Sequence, residues 1–105
     1  MAIVNEYTRE LINFKAKLDN AYELWLHAGS FKDEGHRVFF HFNAKYIRIV
    51  REHSALGFIN RETGDVLYPK GYAGPTKRVR GNIFSPDGGQ SAVAWYGVAM
   101  AEEQS

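Results

Sequence analysis

The sequence predicts a mainly β protein of the α+β class, with a long N-terminal helix followed by a small, strongly bent antiparallel barrel of five or six strands. Two patterns predict this fold class. Apolar residues recur every three or four positions near the N-terminus, and every second position after residue 36. The chain has 105 residues, 45% of them hydrophobic and none of them cysteine, so we expect one domain, residues 1–105, that needs no disulfides.

The predicted helix spans about residues 5–27. Its apolar face comprises Tyr7, Leu11, Phe14, Leu18, Ala21, Tyr22 and Trp25. Asn5 is the expected N-cap because its side chain can accept a hydrogen bond from an otherwise unpaired amide, and Gly29 is the expected C-terminal stop. A helix of this length with one apolar stripe must lie on another element, so we expect it across one end of the barrel.

The barrel is predicted between residues 36 and 98. Alternating apolar residues and turn residues divide this region into strands at about 37–42, 46–50, 55–60, 66–68, 78–84 and 92–98. Asn43-Ala44 and the loop 61–65 are the expected hairpin turns, and Gly64 supplies the positive φ in the second one. Short connections favour pairing of sequential strands. Residues 99–105 are expected to form an acidic tail that frays.

Charge is unevenly distributed along the chain, although the formal net charge is only +1. Residues 36–85 contain nine lysines and arginines against three acidic residues, whereas residues 1–35 carry a net −2 and residues 86–105 a net −3. Cations interleaved with aromatics are typical of surfaces that bind single-stranded nucleic acid, where each stacked base contributes about 1–3 kcal/mol. The other interpretation of Arg37, Arg48 and Arg51 is the solvated face of a half-buried sheet, and the charge distribution also fits self-assembly.

The densest basic cluster is Lys77-Arg78-Val79-Arg80-Gly81-Asn82-Ile83-Phe84, in which Gly81 allows a bend or a close approach of a partner to the backbone. Its segment 79–83 resembles the second signature of Sm-like RNA-binding proteins: an aliphatic residue, Arg-Gly, a variable residue and an aliphatic residue. The resemblance implies a bent five-stranded barrel with an N-terminal helix that assembles into rings. It also implies RNA contact through Arg80, Gly81 and, by position, Asn82. An SH3-like barrel has the same order of elements, and an OB-like barrel is the alternative.

A second resemblance covers about 40 residues. It is carried by Tyr46-Ile47-Arg48-Ile49-Val50, Thr63-Gly64-Asp65-Val66 and Arg80-Gly81-Asn82-Ile83-Phe84. These segments resemble a group of small uncharacterised proteins from bacteriophage genomes. This resemblance implies a viral or environmental origin and no particular activity.

Catalytic chemistry is not predicted. No pair among the four histidines, His27, His36, His41 and His53, has the helical spacing of a metalloprotease, and no convincing catalytic carboxylate pair is present. Ser-Pro-Asp-Gly-Gly at 85–89 is expected to be a turn. We therefore expect no enzyme, no cofactor and no metal site. Apolar runs are too short for a membrane span and no signal peptide is recognisable, so a cytoplasmic location is expected, in the host cytoplasm if the protein is viral.

Two functions follow as hypotheses. The first is a non-catalytic, oligomeric module that binds single-stranded RNA or DNA. The expected contact residues are Lys70, Tyr72, Lys77, Arg78, Arg80, Gly81 and Asn82. The alternative is a protein-interaction or structural accessory protein of phage origin that binds no nucleic acid, with helix aromatics such as Tyr22 and Trp25 in its interface.

Overall fold

The structure is a computed structural model that describes residues 3–29, 37–52, 54–72, 74–94 and 97–98. The predicted class is confirmed: one helix is followed by a five-stranded antiparallel sheet and a small two-stranded sheet. The elements are α1 (Arg9–Gly29), β1 (Phe39–Phe42), β2 (Tyr46–Arg51), β3 (Ser54–Asn60), β4 (Asp65–Pro69), β5 (Pro75–Asn82), a 3₁₀ helix (Gln90–Ala92), β6 (Val93–Ala94) and β7 (Gly97–Val98). The predicted tail at 99–105 lies outside the described residues. None of the described helical residues form a segment long and apolar enough to cross a membrane.

The helix begins later than expected, and Asn5 is not its N-cap. The Asn5 side chain instead accepts a hydrogen bond from the Tyr7 N–H at 2.8 Å, which forms a turn before the helix. The Thr8 carbonyl accepts the first helical hydrogen bond, from the Ile12 N–H at 3.1 Å, so Thr8 occupies the N-cap position. Asparagine side chains often compete with a helix in this way. Tyr7 therefore precedes the helix and is 81% exposed, so its predicted place in the apolar stripe is wrong.

Three residues of the apolar stripe, Leu11, Phe14 and Leu18, lie in the core, whereas Ala21, Tyr22 and Trp25 are half-buried. Leu11, Phe14 and Leu18 are fully buried. They belong to one cluster with strand and loop residues Val38, Ile47, Ile49, Ile59, Val66, Ile83 and Val98. The helix thus covers one face of the five-stranded sheet, and we call this face the core face. Val38 also anchors the helix through its N–H, which donates to the Asp19 carboxylate at 3.0 Å.

The sheet is an open meander in which each strand pairs antiparallel with the next, as the short connections predicted. Within the described residues β1 and β5 are its two edges, so the expected closed barrel is wrong for this part of the chain. The expected sixth strand is also wrong as a single element. Gly88 and Gly89, with φ of 63° and 87°, turn the chain away from β5 into the 3₁₀ helix. The chain then pairs with itself as β6 and β7 instead of returning to β1.

Candidate nucleic-acid interface

The face of the sheet opposite the helix carries a row of side chains that crosses all five strands. His41, Arg48, Phe58, Leu67 and Val79 are directly opposed in the strand register, each to the next. Directly opposed residues of antiparallel strands project to the same face. Their strand neighbours at positions 47, 59 and 66 belong to the core cluster, so this row lies on the other side of the sheet, which we call the outer face.

The loop between β4 and β5 folds onto the outer face through Tyr72. The Arg48 Nε donates a hydrogen bond to the Tyr72 carbonyl at 2.8 Å. The guanidinium carbon of Arg48 lies over the Tyr72 ring, 4.6 Å from its centroid. Such cation–π contacts contribute about 0.5–1 kcal/mol at exposed sites. The loop itself is closed by the N–H groups of Lys70 and Gly71, which both donate to the Gly74 carbonyl at 3.0 and 3.3 Å.

An apolar floor lies beneath this pair. Phe58 is only 1% exposed, although the helix lies on the opposite face. Arg48 covers it at 5.8 Å from the ring centroid, and the Tyr46 ring meets it edge to face at 6.2 Å. By contrast Tyr72 is 49% exposed and Phe39 is 63% exposed. The outer face therefore combines a buried apolar base with aromatic and cationic groups that solvent can reach.

Four exposed cations lie on the strands and turns that border this face. They are Lys45, Lys70, Lys77 and Arg78. Lys45 precedes β2 and places its Nζ 5.4 Å from the Tyr46 ring centroid. Lys77 and Arg78 precede Val79 on the edge strand β5, and Lys70 lies in the loop that carries Tyr72. Aromatic rings and cations that share one surface can bind bases and phosphates together.

Gly81 has a structural role that the sequence only half predicts. A Cβ added at Gly81 would lie 3.1 Å from both Ala92 Cβ and Ser91 Oγ. Close approach to the backbone is therefore real, but the approaching group is the 3₁₀ helix of the same chain. The neighbouring Arg80 is half-buried, and its carbonyl accepts a hydrogen bond from the Ser91 hydroxyl at 3.5 Å.

Asn82 is engaged inside the chain. Its Nδ2 donates to the Thr63 carbonyl and to the Asp65 carboxylate, both at 2.9 Å. Its Oδ1 accepts from the Phe84 N–H at 2.7 Å. The side chain thus ties the β3–β4 turn to the end of β5. These bonds occupy both amide hydrogens, so Asn82 has no free donor for a ligand in this conformation.

The turn that supports the 3₁₀ helix is organised by one carboxylate. Asp87 accepts hydrogen bonds from the Ser85 hydroxyl and, at 2.9 Å each, from the backbone N–H groups of Gly89 and Ser91. These donors stabilise the ionised form, and they lower the pKa of Asp87 from 3.8 to about 2, with the Ser85 hydroxyl as the largest cause. The expected turn at 85–89 is therefore confirmed, and its acid holds local structure.

Part of the basic surplus is used inside the fold. Arg61 donates from Nε to the Val4 carbonyl at 2.9 Å and from Nη1 to the Asn43 carbonyl at 2.8 Å, which joins the N-terminal segment to two turns. Arg51 is buried, and its guanidinium carbon lies 4.0 Å from the Tyr22 ring centroid. A count of charges along the sequence cannot separate these structural arginines from surface ones.

Other features of the described residues do not converge on a catalytic or metal site. A groove of about 730 Å³ runs along the helix, with Ile12, Ala16, Asn20 and Arg37 among its lining residues. It is away from the outer face. Five charged side chains line it, of which Lys15 and Asp19 pair at 2.9 Å and Arg37 lies 3.9 Å from Glu23. Among the residues that the structure describes, no three histidine, aspartate or glutamate side chains are grouped so that they could hold a metal ion.

Comparison of the chain with protein-family models, with curated proteins and with solved structures finds no match. The candidate interface therefore depends on its own geometry. Of the seven predicted contact residues, the structure leaves Lys70, Tyr72, Lys77 and Arg78 exposed, half-buries Arg80, and engages Gly81 and Asn82 within the fold. The predicted set does not include Arg48, which holds Tyr72 on the outer face. The alternation in Tyr46–Arg51 was the signal that could have placed it on the outer face.

Proposed function

We propose that this protein is a non-catalytic module that binds single-stranded nucleic acid, with RNA as the first candidate, through the outer face of its sheet. The observation that carries the proposal is the Arg48–Tyr72 pair, in which Arg48 belongs to the row of side chains that crosses all five strands. Solvent-accessible aromatics on this face offer flat surfaces for bases. Lys45, Lys70, Lys77 and Arg78 offer positive charge along the path of a phosphate backbone.

RNA is favoured over DNA by the Sm-like signature at 79–83. The proposal retains Arg80 as a contact residue together with the four exposed positions at 70, 72, 77 and 78. Gly81 and Asn82 support this strand from within the fold. Ring assembly and a phage origin remain predictions of the two sequence resemblances.

The test is fluorescence anisotropy with a labelled oligouridylate and a labelled oligothymidylate, each of about ten nucleotides. Binding should weaken steeply between about 50 mM and about 200 mM salt, because each neutralised phosphate releases a counterion. Replacing Lys77 and Arg78 together by alanine should reduce the slope of log K against log salt by about 1.4, since each phosphate contact to a single strand contributes about 0.7.

The matched control removes two positive charges from the helix. Arg9→Ala with Lys17→Ala changes the net charge by the same amount, and both residues belong to α1, which covers the core face. This variant should bind as the unmodified protein does. No binding at about 50 mM salt, or an equal loss in both double variants, would exclude a specific interface on the outer face.

A second candidate is a protein-interaction module, and the exposed Phe39 favours it. Phe39 is 63% exposed on the edge strand β1, where a further strand could pair. Tyr22 and Trp25, the expected interface aromatics, are half-buried and pack against each other with their ring centroids 5.9 Å apart. Light scattering tests self-assembly through β1: an oligomer that Phe39→Glu dissociates and Ile12→Glu leaves intact supports it, and a monomeric protein excludes it.

A further inference from the structure

We infer that the Arg48–Tyr72 pair is a stacking site for one unpaired nucleobase, an inference that rests on the proposed function. The Arg48 guanidinium lies over the Tyr72 ring at 4.6 Å from the centroid. Tyr72 is nevertheless 49% exposed. Because the cation covers one face of the ring and solvent reaches the ring, the other face is left for a base. The stack would then consist of guanidinium, phenol ring and base, in that order.

The ring is held in place before a ligand arrives. Its own backbone carbonyl accepts the Arg48 Nε at 2.8 Å, so one guanidinium fixes both the loop backbone and the ring. Arg48 in turn rests on Phe58, which is buried in the middle of the sheet. A fixed aromatic ring loses little conformational entropy when a base stacks on it. Arg48 is therefore a positioning residue in this inference, and Tyr72 makes the contact.

The surroundings of the loop leave room for a base. A Cβ added at Gly71 or at Gly74 would meet no atom within 4 Å. The glycines that flank the ring thus face open space and not another part of the described chain. Lys70 precedes them in the same loop and is exposed, so it can supply positive charge for the phosphate of the stacked nucleotide.

Electrostatic attraction alone would give a different behaviour. A surface that only neutralises phosphates binds a strand with and without bases equally, because both strands carry the same charge. A stacking site requires the base. The ratio of the two affinities therefore separates a stacking site from a basic patch, and it does so independently of how tight the binding is.

The experiment compares two labelled strands of about ten nucleotides: the homopolymer that binds more tightly, and an abasic strand with the same sugar and the same number of phosphates. The unmodified protein should prefer the strand with bases by about 5-fold to about 150-fold, the range measured when a stacking aromatic is removed. Tyr72→Phe should keep this preference. Tyr72→Ala and Tyr72→Leu should reduce it at least about fivefold while binding of the abasic strand stays unchanged.

Arg48→Met tests the positioning role, because the methionine side chain preserves the apolar cover over Phe58 and removes the hydrogen bond to the loop. It should lower the preference for bases without changing the salt dependence of abasic-strand binding. Equal binding of both strands by the unmodified protein would refute the stacking site and leave nucleic-acid binding intact. A preference that survives Tyr72→Ala would also refute it. Failure to bind either strand would refute both proposals.

Discussion

Asn82 provides a direct test of whether the Arg80-Gly81-Asn82 segment at the end of β5 holds the fold or contacts a ligand. Its amide makes three hydrogen bonds, to Thr63, Asp65 and Phe84, at 2.7–2.9 Å. A net value of about 1 kcal/mol per bond gives about 3 kcal/mol for Asn82→Ala. The bonds to Thr63 and Phe84 are exposed, so water replaces part of them, and about 2 kcal/mol is expected.

For a domain of this size, that loss lowers the melting temperature by about 8 °C. Urea denaturation followed by circular dichroism measures the loss in the free energy of unfolding directly. The control is Arg78→Ala, an exposed position on the same strand, where the change should stay within about 0.5 kcal/mol. Affinity for single-stranded RNA, measured where both variants are folded, should fall for Arg78→Ala and hold for Asn82→Ala. Unchanged stability in Asn82→Ala with a clear loss of affinity would refute the structural role.

Three further substitutions probe other supports of the fold. Arg61→Ala removes two hydrogen bonds of a partly exposed guanidinium and should lower the free energy of unfolding, measured by urea denaturation, by about 2 kcal/mol. A loss no larger than that of Arg78→Ala would contradict this prediction. The lowered pKa of Asp87, about 2 against an ordinary 3.8, means that its contribution to stability is complete above about pH 4 and disappears as the pH falls towards 2. Asp87→Asn should flatten this part of the stability profile, and an unaltered profile would refute the assignment. Gly89→Ala should cost about 2–3 kcal/mol by thermal melting, because φ is 87° and the new methyl would lie 2.8 Å from the Phe14 ring. An unchanged melting temperature would show that the turn relaxes freely.

Periodicity predicted the elements well because it reports which face of an element is buried. Leu11, Phe14 and Leu18 share one helical face and are all in the core. The strand boundaries in the first two hairpins follow the alternation within two residues. The start of the helix could not be read in the same way, because the Asn5 side chain forms its own turn with the Tyr7 N–H.

Barrel closure and the composition of the site depend on contacts between distant residues, which local patterns do not report. Closure of a barrel depends on the path of the chain after Gly89. The chain there enters the 3₁₀ helix and then β6. The sequence predicts Lys70 and Tyr72 as contact residues. Their arrangement, however, comes from Arg48, which lies 24 positions away from Tyr72. A sequence pattern can place Arg48 on a face, but it cannot show which loop folds onto it.

Among the residues that the structure describes, β5 is an edge strand of the sheet, and this position has a consequence for solubility. Edge strands expose unpaired backbone groups that can recruit other chains into aggregates, and proteins protect them with proline, charge and irregular register. β5 has all three: Pro75 at its start, Lys77 and Arg78 exposed along it, and two register shifts against β4. The same two cations would thus serve as gatekeepers against aggregation as well as phosphate contacts. Neutral substitutions at these positions weaken both roles together. Glutamate keeps a charge on the edge strand but removes the phosphate contacts, so glutamate variants separate ligand binding from self-association.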